Sequence, residues 1–394
     1  MDLSSLSVFV ATEEQAKESL RRARNQWGKD MTPEEFEMRD QTWTRDLECA
    51  KDGKFTTWVL APRQDPQTVD FNLKWPAIIA RKDHAPETPQ SGYCYAIGSV
   101  FTPTHHRGHG FAAHMMRLLH WVLAPESFLE NFEFPEVWGS RPEERRGDAS
   151  LSVLSSDIGP EFYLKCGVVS EPMTANSFSA RGWVVREPIS TSWSNISPVE
   201  KLELDESGSD VTWEWLDEKG VKEYCDGVDE EMMKEDLTAF ATSQVETDQD
   251  VGFAILSSRG VEAFNRGRLR HAYQDYHINK WGVKIKDKSG TSTATWIVEL
   301  PRQGMTPSIA TPKLLISRLR AENPTHFPLI LKLASDVART VGVATIEAWN
   351  VPQHLKGLAA QHGGVEKERE AKLSSFKWYG DEEPNRVKWM FNGR

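Results

Sequence analysis

The stretch that decides the fold runs from residue 97 to residue 113 and reads IGSVFTPTHHRGHGFAA. Its first part is β-prone, and its last part opens a pattern of apolar residues at helical spacing that ends at Pro125. Between them, Gly108 and Gly110 allow the backbone to turn tightly and to approach a ligand closely. The first N–H groups of the following helix, together with its dipole, would face an anion. The stretch therefore predicts a strand, an anion-binding loop and a helix.

The spacing within the loop excludes two common phosphate-binding motifs. A P-loop has the pattern GxxxxGK[ST], and a dinucleotide-binding fold needs a third glycine; the sequence has neither here. Arg107 adds a fixed positive charge beside the glycines. Two interpretations stay open at this point: a site for a phosphate-type anion, or a glycine-rich turn in which Arg107 is simply solvated.

Periodicity predicts the elements on both sides of this stretch. Before it, we predict strands at Ser7–Val10, Phe55–Leu60, Trp75–Ala80 and Tyr93–Phe101 and helices at Glu13–Trp27 and after Thr32. After it, we predict a helix over Phe111–Val122, a strand at Leu151–Leu154 and a short helix at Pro160–Lys165. Farther along, we predict a helix at Glu230–Ala241, a hairpin within Tyr276–Leu300, strand Lys313–Arg320, helix Leu329–Thr340, strand Ala344–Trp349, helix Gln353–Gln361 and late strands near Phe376 and Val387–Phe391. The second half repeats the order of the first, which indicates a duplication.

The acidic segment 197–210, which carries Ser and Gly, separates two apolar-patterned regions and is typical of a linker. We therefore predict two domains, 1–196 and 211–394, in agreement with the length of 394 residues. Before the long helix of the second domain stands AENPTHFP, residues 321–328, which lacks Arg-Gly-x-Gly and has two prolines without N–H donors. We expect the second domain to have no anion site. Because pockets form preferentially at domain interfaces, we expect it instead to form the wall of a cleft on the side where the second substrate, the acceptor, binds.

Composition and charge narrow the class of protein. A hydrophobic fraction of 39% with 15 Trp is enough for a core in each domain and excludes a disordered chain. The formal net charge of −11 argues against binding to nucleic acid, because the phosphates are gripped by Lys and Arg. A cationic or amine substrate suits this charge better.

The spacing of the cysteines and the sequence of the N-terminus indicate the cellular compartment of the protein. Cys49, Cys94, Cys166 and Cys225 show no CxxC spacing, so the sequence predicts neither a metal site nor a disulfide framework, but reduced thiols in an intracellular protein. Acidic residues follow the short apolar run 6–11 where a secretory signal would continue, and no stretch reaches the ~18 apolar residues of a membrane span. We expect a cytoplasmic protein without membrane contact.

The window His105–Gly110, with its preceding strand and the whole order of elements, resembles the signature of the GNAT superfamily of N-acetyltransferases. In that family a Gln/Arg-x-x-Gly-x-Gly/Ala loop holds the pyrophosphate of acetyl-CoA; here His105 stands where Gln or Arg is usual. The resemblance implies acetyl-CoA as acetyl donor, no metal, and an α+β (α/β) fold of tandem GNAT-like domains, each with a mixed, mostly antiparallel twisted sheet and flanking helices. It implies these cofactor-binding residues: Val100, Phe101, Thr102, Arg107, Gly108, His109, Gly110, Phe111 and Ala112.

A second motif, LSVLSSDIGPEFYLKCG at 151–167, looks like the family's next strand and short helix, which ends Tyr-x-x-x-Gly. The resemblance implies that Tyr163 protonates the departing CoA thiolate, which a phenol of pKa ~10 can do; a core tyrosine is the alternative. It also implies direct transfer, with a backbone N–H near Val100 on the oxyanion. For the base that deprotonates the amine, Asp157 is the first candidate and His105 the second. Asp157 as a helix N-cap and His105 as a phosphate-side donor stay open.

Four stretches are similar to a narrower family, the fungal L-lysine N6-acetyltransferases. They are Gln26-Trp27-Gly28 with Met31-Thr32-Pro33-Glu34, Thr57–Pro62, Ser99–Pro103 and Ser152–Gly159. This resemblance implies a cytoplasmic enzyme of lysine degradation that acetylates the N6 amine of free L-lysine. Another small primary amine, a protein or peptide acceptor, and a non-catalytic acyl-CoA-binding regulatory module remain as alternatives.

Two further features of the second half are open. The polar and aromatic run His271–His277 is either a strand edge or a surface that faces an amine. Asn392-Gly393 follows the last predicted strand and is typical of a hairpin turn, whose return strand would lie beyond residue 394. The sequence predicts no oligomeric state.

Overall fold

The computed structural model describes residues 2–29, 31–68, 75–80, 91–170, 178–194, 211–243, 250–269, 278–300 and 312–391. Within them the strands are β1 Leu6–Val10, β2 Phe55–Pro62, β3 Trp75–Ala80, β4 Tyr93–Ile97, β5 Ala149–Ser156, β6 Val184–Val185, β7 Ile189–Ser194, β8 Thr212–Leu216, β9 Val251–Phe253, β10 Gly282–Asp287, β11 Gly290–Glu299, β12 Lys313–Ala321, β13 Thr345–Trp349, β14 Val365–Glu368, β15 Leu373–Trp378 and β16 Val387–Trp389. The helices are α1 Glu13–Trp27, α2 Pro33–Asp40, α3 Phe111–Leu123, α4 Glu126–Leu129, α5 Glu161–Leu164, α6 Glu218–Tyr224, α7 Glu230–Ser243, α8 Val261–Leu269, α9 Phe327–Val341 and α10 Gln353–Gln361.

Two sheets in the described residues have the same order of strands. The first runs β1-β2-β3-β4-β5-β15-β6, and the second, from its other end, runs β8-β10-β11-β12-β13-β7-β14. In each sheet the fourth and fifth strands, β4 with β5 and β12 with β13, pair in parallel. All other neighbours pair antiparallel. The predicted α+β class, with mixed and mostly antiparallel sheets, is confirmed.

The chain forms two compact units that are not consecutive in sequence. The first contains 1–186, 234–255 and 370–389, and the second contains 187–233, 256–369 and 390–394. This differs from the predicted domains, because β7 pairs in the second sheet and β15 pairs in the first. Strand pairing is a non-local choice that the periodicity of a strand does not encode. The predicted linker 197–210 lies outside the described residues.

Local signals in the sequence explain where the early helices begin. Thr12 and Thr32 each cap a helix through the side chain, and a glutamine or glutamate three residues on completes the capping box. α1 has the predicted bounds Glu13–Trp27. α2 then begins with Pro33 at a position where a missing N–H costs nothing.

Each unit has its own apolar core around one long helix. In the first unit, Trp121 of α3 lies in one core with Trp58 and Trp183, and all three are at most 1% exposed. In the second unit, α9 packs with Trp193 and Trp296, again at most 1% exposed. Such large buried side chains fix the helix against its sheet, since each contributes ~3–5 kcal/mol relative to alanine.

Candidate active site

The site begins where β4 leaves its sheet. The ladder between β4 and β5 ends at the pair Ile97 and Leu154. Two residues later Ser99 adopts a left-handed φ of 56°, which turns the backbone out of the ladder. The strand predicted to reach Phe101 therefore stops at Ile97. Beyond that point the peptide groups near Val100 make no β4–β5 ladder hydrogen bonds.

The loop that follows depends on its two glycines. After a single helical turn at Thr104–His106, Gly108 and Gly110 both adopt φ of 80°. A Cβ at Gly108 would meet no atom within 4 Å, so the backbone conformation, not space, requires glycine there. Arg107 between these turns is exposed, and its Nε donates a hydrogen bond to the Thr102 carbonyl at 3.0 Å. The loop thus presents a cation next to a tight turn.

Helix α3 starts at the end of this loop with no side-chain cap. Its N-cap is Gly110, whose φ of 80° and ψ of 0° end the loop and which has no side chain to bond the first-turn N–H groups. The first intrahelical bond joins the His114 N–H to the Gly110 carbonyl at 2.9 Å. The first turn contains no acidic residue. A helix start of this kind carries partial positive charge and donors suited to a phosphate.

Cationic and aromatic side chains surround the helix start. The rings of His105 and His106 lie 4.1 Å apart, and the His109 ring stacks on Phe111 at 5.7 Å. Burial lowers the pKa of His106, and the nearby His105, Arg22 and His109 lower it further. The local field is therefore positive although the whole chain carries a net charge of −11. Arg22 gave no signal in the sequence, because charged residues on an exposed helix face are ordinary.

Tyr163 lies on α5, which contacts α3. The side chain is 6% exposed and belongs to the core of the first unit, where its ring packs edge-on against Phe162 and Trp183. Burial raises the pKa of Tyr163, with smaller contributions from Cys166 and Asp157. The hydroxyl forms no hydrogen bond with a described residue. Tyr163 is therefore a neutral phenol at ordinary pH.

The two predicted bases lie in different surroundings. Asp157 follows β5, is exposed, and accepts a hydrogen bond from the Lys372 N–H at 3.1 Å. It is not the N-cap of α5, a position that Pro160 occupies. Its carboxylate makes the smallest of the three contributions that raise the pKa of Tyr163. His105 is exposed on the loop, and its described ring contact is with His106.

The second sheet has a helix at the corresponding place, and its start has a buried histidine and two prolines. A turn at Pro324–His326 leads into α9, with a second proline in its first turn. His326 is 2% exposed; its Nδ1 lies 3.0 Å from Ser292 Oγ and its Nε2 lies 3.0 Å from Asp287 Oδ2. Hydrogen bonds from Ser289, and next His326, lower the pKa of Asp287 to about 2. α9, like α3, has no side-chain cap, but it begins with a buried histidine and two prolines, whereas exposed glycines precede α3.

Other candidate features were few. The described residues contain no group of His, Cys, Asp and Glu placed to hold a metal ion. None of the helices described is long and apolar enough to cross a membrane. The four cysteines are buried and unbridged. The run His271–His277 lies outside the described residues.

Sequence reasoning also missed a buried polar cluster behind α5. It contains His120 of α3 and Lys377 and Tyr379 from the C-terminal segment, each at most 4% exposed. The local sequence pattern does not predict this cluster, since the His120 and Tyr379 side chains that form it are 259 residues apart in sequence.

Comparisons with known proteins agree with this architecture. Residues 198–394, half of the chain, match the family described as "LYC1 GNAT-like C-terminal domain". No curated protein matches the sequence.

Several solved structures are similar over most of the chain. A GCN5-related N-acetyltransferase from Anabaena variabilis is 12% identical, covers 95% of this chain and 73% of its own, and has a TM-score of 0.47. One from Kribbella flavida is 14% identical, with coverages of 95% and 72% and a TM-score of 0.42. A tandem GNAT protein from the clavulanic acid biosynthesis pathway is 11% identical, with coverages of 96% and 99% and a TM-score of 0.41. At these values the likeness carries no information on substrate.

Proposed function

The chain belongs to the LYC1 GNAT-like family of GNAT-type acetyltransferases, and from this premise we propose that it transfers the acetyl group of acetyl-CoA to a small primary amine. The acceptor we propose is the N6 amine of free L-lysine, in lysine degradation in the cytoplasm. The resemblance of residues 26–34, 57–62, 99–103 and 152–159 to the fungal lysine N6-acetyltransferases supports this acceptor.

One observation carries the proposal: the open start of α3. Its N-cap Gly110 offers no side chain, the loop is exposed, and Arg107 lies beside it. A pyrophosphate needs several N–H donors and a cation at close range, and this place supplies both. The residues present therefore fit acetyl-CoA, with Val100, Phe101 and Thr102 before the loop to receive the pantetheine and thioester.

In the proposed mechanism each residue has a separate task. An N–H near Val100 stabilises the oxyanion that forms when the amine attacks the thioester carbonyl. An alkyl ammonium of pKa ~10.4 must first lose a proton, which Asp157 or His105 accepts directly or through water. As the C–N bond forms and the C–S bond breaks, Tyr163 gives its proton to the departing thiolate. Tyr163 then regains a proton from solvent or from the base.

The second unit has a different proposed role. Because the start of α9 is occupied by His326 and two prolines, we assign acetyl-CoA to the first unit alone. The second unit then serves recognition of the acceptor. A cationic acceptor suits the net charge of −11.

Calorimetry with acetyl-CoA, followed by a free-thiol release assay over a panel of amines, tests the proposal. The panel contains L-lysine, a polyamine, an amino sugar and a lysine-containing peptide. We expect binding of acetyl-CoA and fastest thiol release with L-lysine. Preference for the peptide would replace the acceptor, binding without release on any amine would leave an acyl-CoA-binding module, and absence of binding would reject the proposal.

A further inference from the structure

Five buried groups behind α5 form a continuous chain of hydrogen bonds. Trp183 Nε1 lies 3.0 Å from Ser152 Oγ, which lies 3.2 Å from the Tyr379 hydroxyl. That hydroxyl lies 2.9 Å from His120 Nδ1, and His120 Nε2 lies 2.7 Å from the Cys166 carbonyl. The four side chains are at most 4% exposed. Each member has a partner, so the chain avoids the cost of burying unpaired polar groups.

The chemistry of the groups fixes the direction of every bond. A carbonyl only accepts, so His120 Nε2 carries a proton and donates it to Cys166. Burial, and next Lys377, lower the pKa of His120 to about 3, so the ring is neutral and Nδ1 accepts. Tyr379 therefore donates to His120, Ser152 donates to Tyr379, and Trp183 donates to Ser152. One arrangement of protons thus gives every donor and acceptor in this chain of hydrogen bonds a partner.

Both ends of this chain are attached to the helix that carries Tyr163. At one end, the Cys166 N–H donates to the Tyr163 carbonyl at 3.1 Å. At the other end, the Trp183 N–H donates to the same carbonyl at 3.1 Å, and the Gly182 N–H donates to Leu164 at 2.9 Å. Cys166 and Trp183, the two ends of the hydrogen-bond chain, thus both hold the backbone of α5 at its C-terminal end.

The C-terminal segment supplies a second support from the same region. Lys377, 2% exposed, donates to the carbonyls of Ser179 and Arg181, the latter at 2.8 Å. The segment 178–183 that receives these bonds is the one that holds α5. Lys377 and Tyr379 are two positions apart in the C-terminal segment. This segment therefore stabilises α5, the helix that carries Tyr163, from a distant part of the sequence.

We propose that Tyr379 is a positioning residue for the general acid Tyr163, acting through His120 and Cys166 on the backbone of α5. The inference rests on the proposed function. It assigns a role in catalysis to a segment that lies some two hundred residues after the sequence motifs of the site. Tyr379 itself touches no reacting atom.

The first test is Tyr379→Phe, with Tyr95→Phe as matched control. Removing the Tyr379 hydroxyl leaves His120 Nδ1 without its donor in an unchanged volume, so we expect kcat to fall about tenfold while the affinity for acetyl-CoA is unchanged. Tyr95 is also buried in the first unit, and its hydroxyl bonds Asp148 at 2.6 Å, away from α5. Its loss should lower the melting temperature and leave kcat within about twofold. Equal effects of the two variants on kcat would overturn the inference.

The second test asks whether the effect passes through Tyr163. In a Tyr163→Phe background, Tyr379→Phe should cause no further loss of kcat, because the group being positioned is already absent. Full additivity would show a general structural role and overturn the inference while leaving the proposed function intact.

Amide hydrogen exchange tests the same idea without turnover, and so separates it from a failure of the proposed function. Tyr379→Phe should speed exchange of the Cys166 and Gly182 N–H groups, whereas Tyr95→Phe should not. Unchanged exchange in Tyr379→Phe would overturn the inference even if the wild-type protein acetylates no amine.

Discussion

Helices α3 and α9 begin at corresponding places in two sheets of the same strand order, yet they differ in what they can bind. Neither helix has a side-chain cap, but α3 follows the exposed Gly108 and Gly110, both with φ of 80°. α9 follows Pro324 and the buried His326. Both helices are long enough to have a full dipole, at 13 and 15 residues. The dipole alone therefore does not make an anion site; the residues of the preceding turn decide whether a ligand can reach it.

The same contrast holds one element later. After the fifth strand of the first sheet, α5 presents Tyr163 with a hydroxyl that bonds no described residue. After the fifth strand of the second sheet, α10 buries Leu355 and Ala359 instead. Among the described residues, the first unit thus has exposed glycines before its long helix and a buried tyrosine on its next helix, and the second unit has neither at the corresponding places.

The largest expected effect concerns that proton donor. Tyr163→Phe should lower kcat by ~10²–10⁴-fold with little change in affinity for acetyl-CoA, the usual range for loss of a general acid. Tyr224→Phe is the matched control, since Tyr224 is a buried tyrosine of the second unit whose hydroxyl lies 3.3 Å from Asp229 Oδ1. Steady-state kinetics and calorimetry measure both. Near-normal turnover in Tyr163→Phe would remove this residue from the mechanism.

A smaller effect is expected at the helix start. Gly110→Ala puts a side chain at a φ of 80°, which costs ~1–2 kcal/mol in the bound conformation of the loop, so acetyl-CoA should bind about tenfold more weakly. Gly342→Ala makes the same change at the C-terminal end of α9, where φ is 78° and no atom lies within 4 Å of the new Cβ. Gly342→Ala should lose stability without losing affinity, whereas the loop of Gly110→Ala relaxes when free, so that variant should lose less stability. A matching loss of affinity in Gly342→Ala would show that stability, not the loop, is responsible.

A further expected effect is a dependence of stability on pH. Burial lowers the pKa of Lys377 from 10.5 to about 7, and no ion pair among the described residues includes it. Between pH 7 and 10.5 the unfolded chain therefore binds more protons at this residue than the folded chain, so its contribution to stability improves as pH rises. From pH 7 to 9, wild type should gain ~1–3 kcal/mol relative to Lys377→Met.

Denaturant unfolding at the two pH values measures this difference. Lys313→Met in the second unit is the matched control, since the Lys313 ammonium group pairs with Glu347 at 2.8 Å. We expect no such gain for it. A wild-type advantage that falls between pH 7 and 9 would contradict the assignment of Lys377 as a neutralisable buried amine.

Local features of the fold could be predicted from the sequence, because short-range chemistry determines them. α1, β3 and α10 have the predicted bounds, and the capping boxes at Thr12 and Thr32 explain two helix starts. The glycine loop before α3 was visible for the same reason. Tyr163 and Asp157 were named from the resemblance of residues 151–167 to a family motif, and their roles stay predictions.

What could not be predicted depends on partners far apart in sequence. β7 and β15 each pair in the sheet of the other half, and a strand pattern does not name its partner. Tyr379 meets His120 across 259 residues. The turn at Ser99 was missed because serine seldom adopts a left-handed φ and gives no signal when it does.

The most direct test of the difference between α3 and α9 is the stoichiometry of acetyl-CoA binding by calorimetry, in the wild-type protein and in Arg107→Gln. One molecule should bind per chain, and Arg107→Gln should weaken its binding several-fold without changing the stoichiometry, because the variant removes a charge beside the start of α3. Two molecules per chain, or an affinity unaffected in Arg107→Gln, would contradict the assignment of the cofactor to α3 alone.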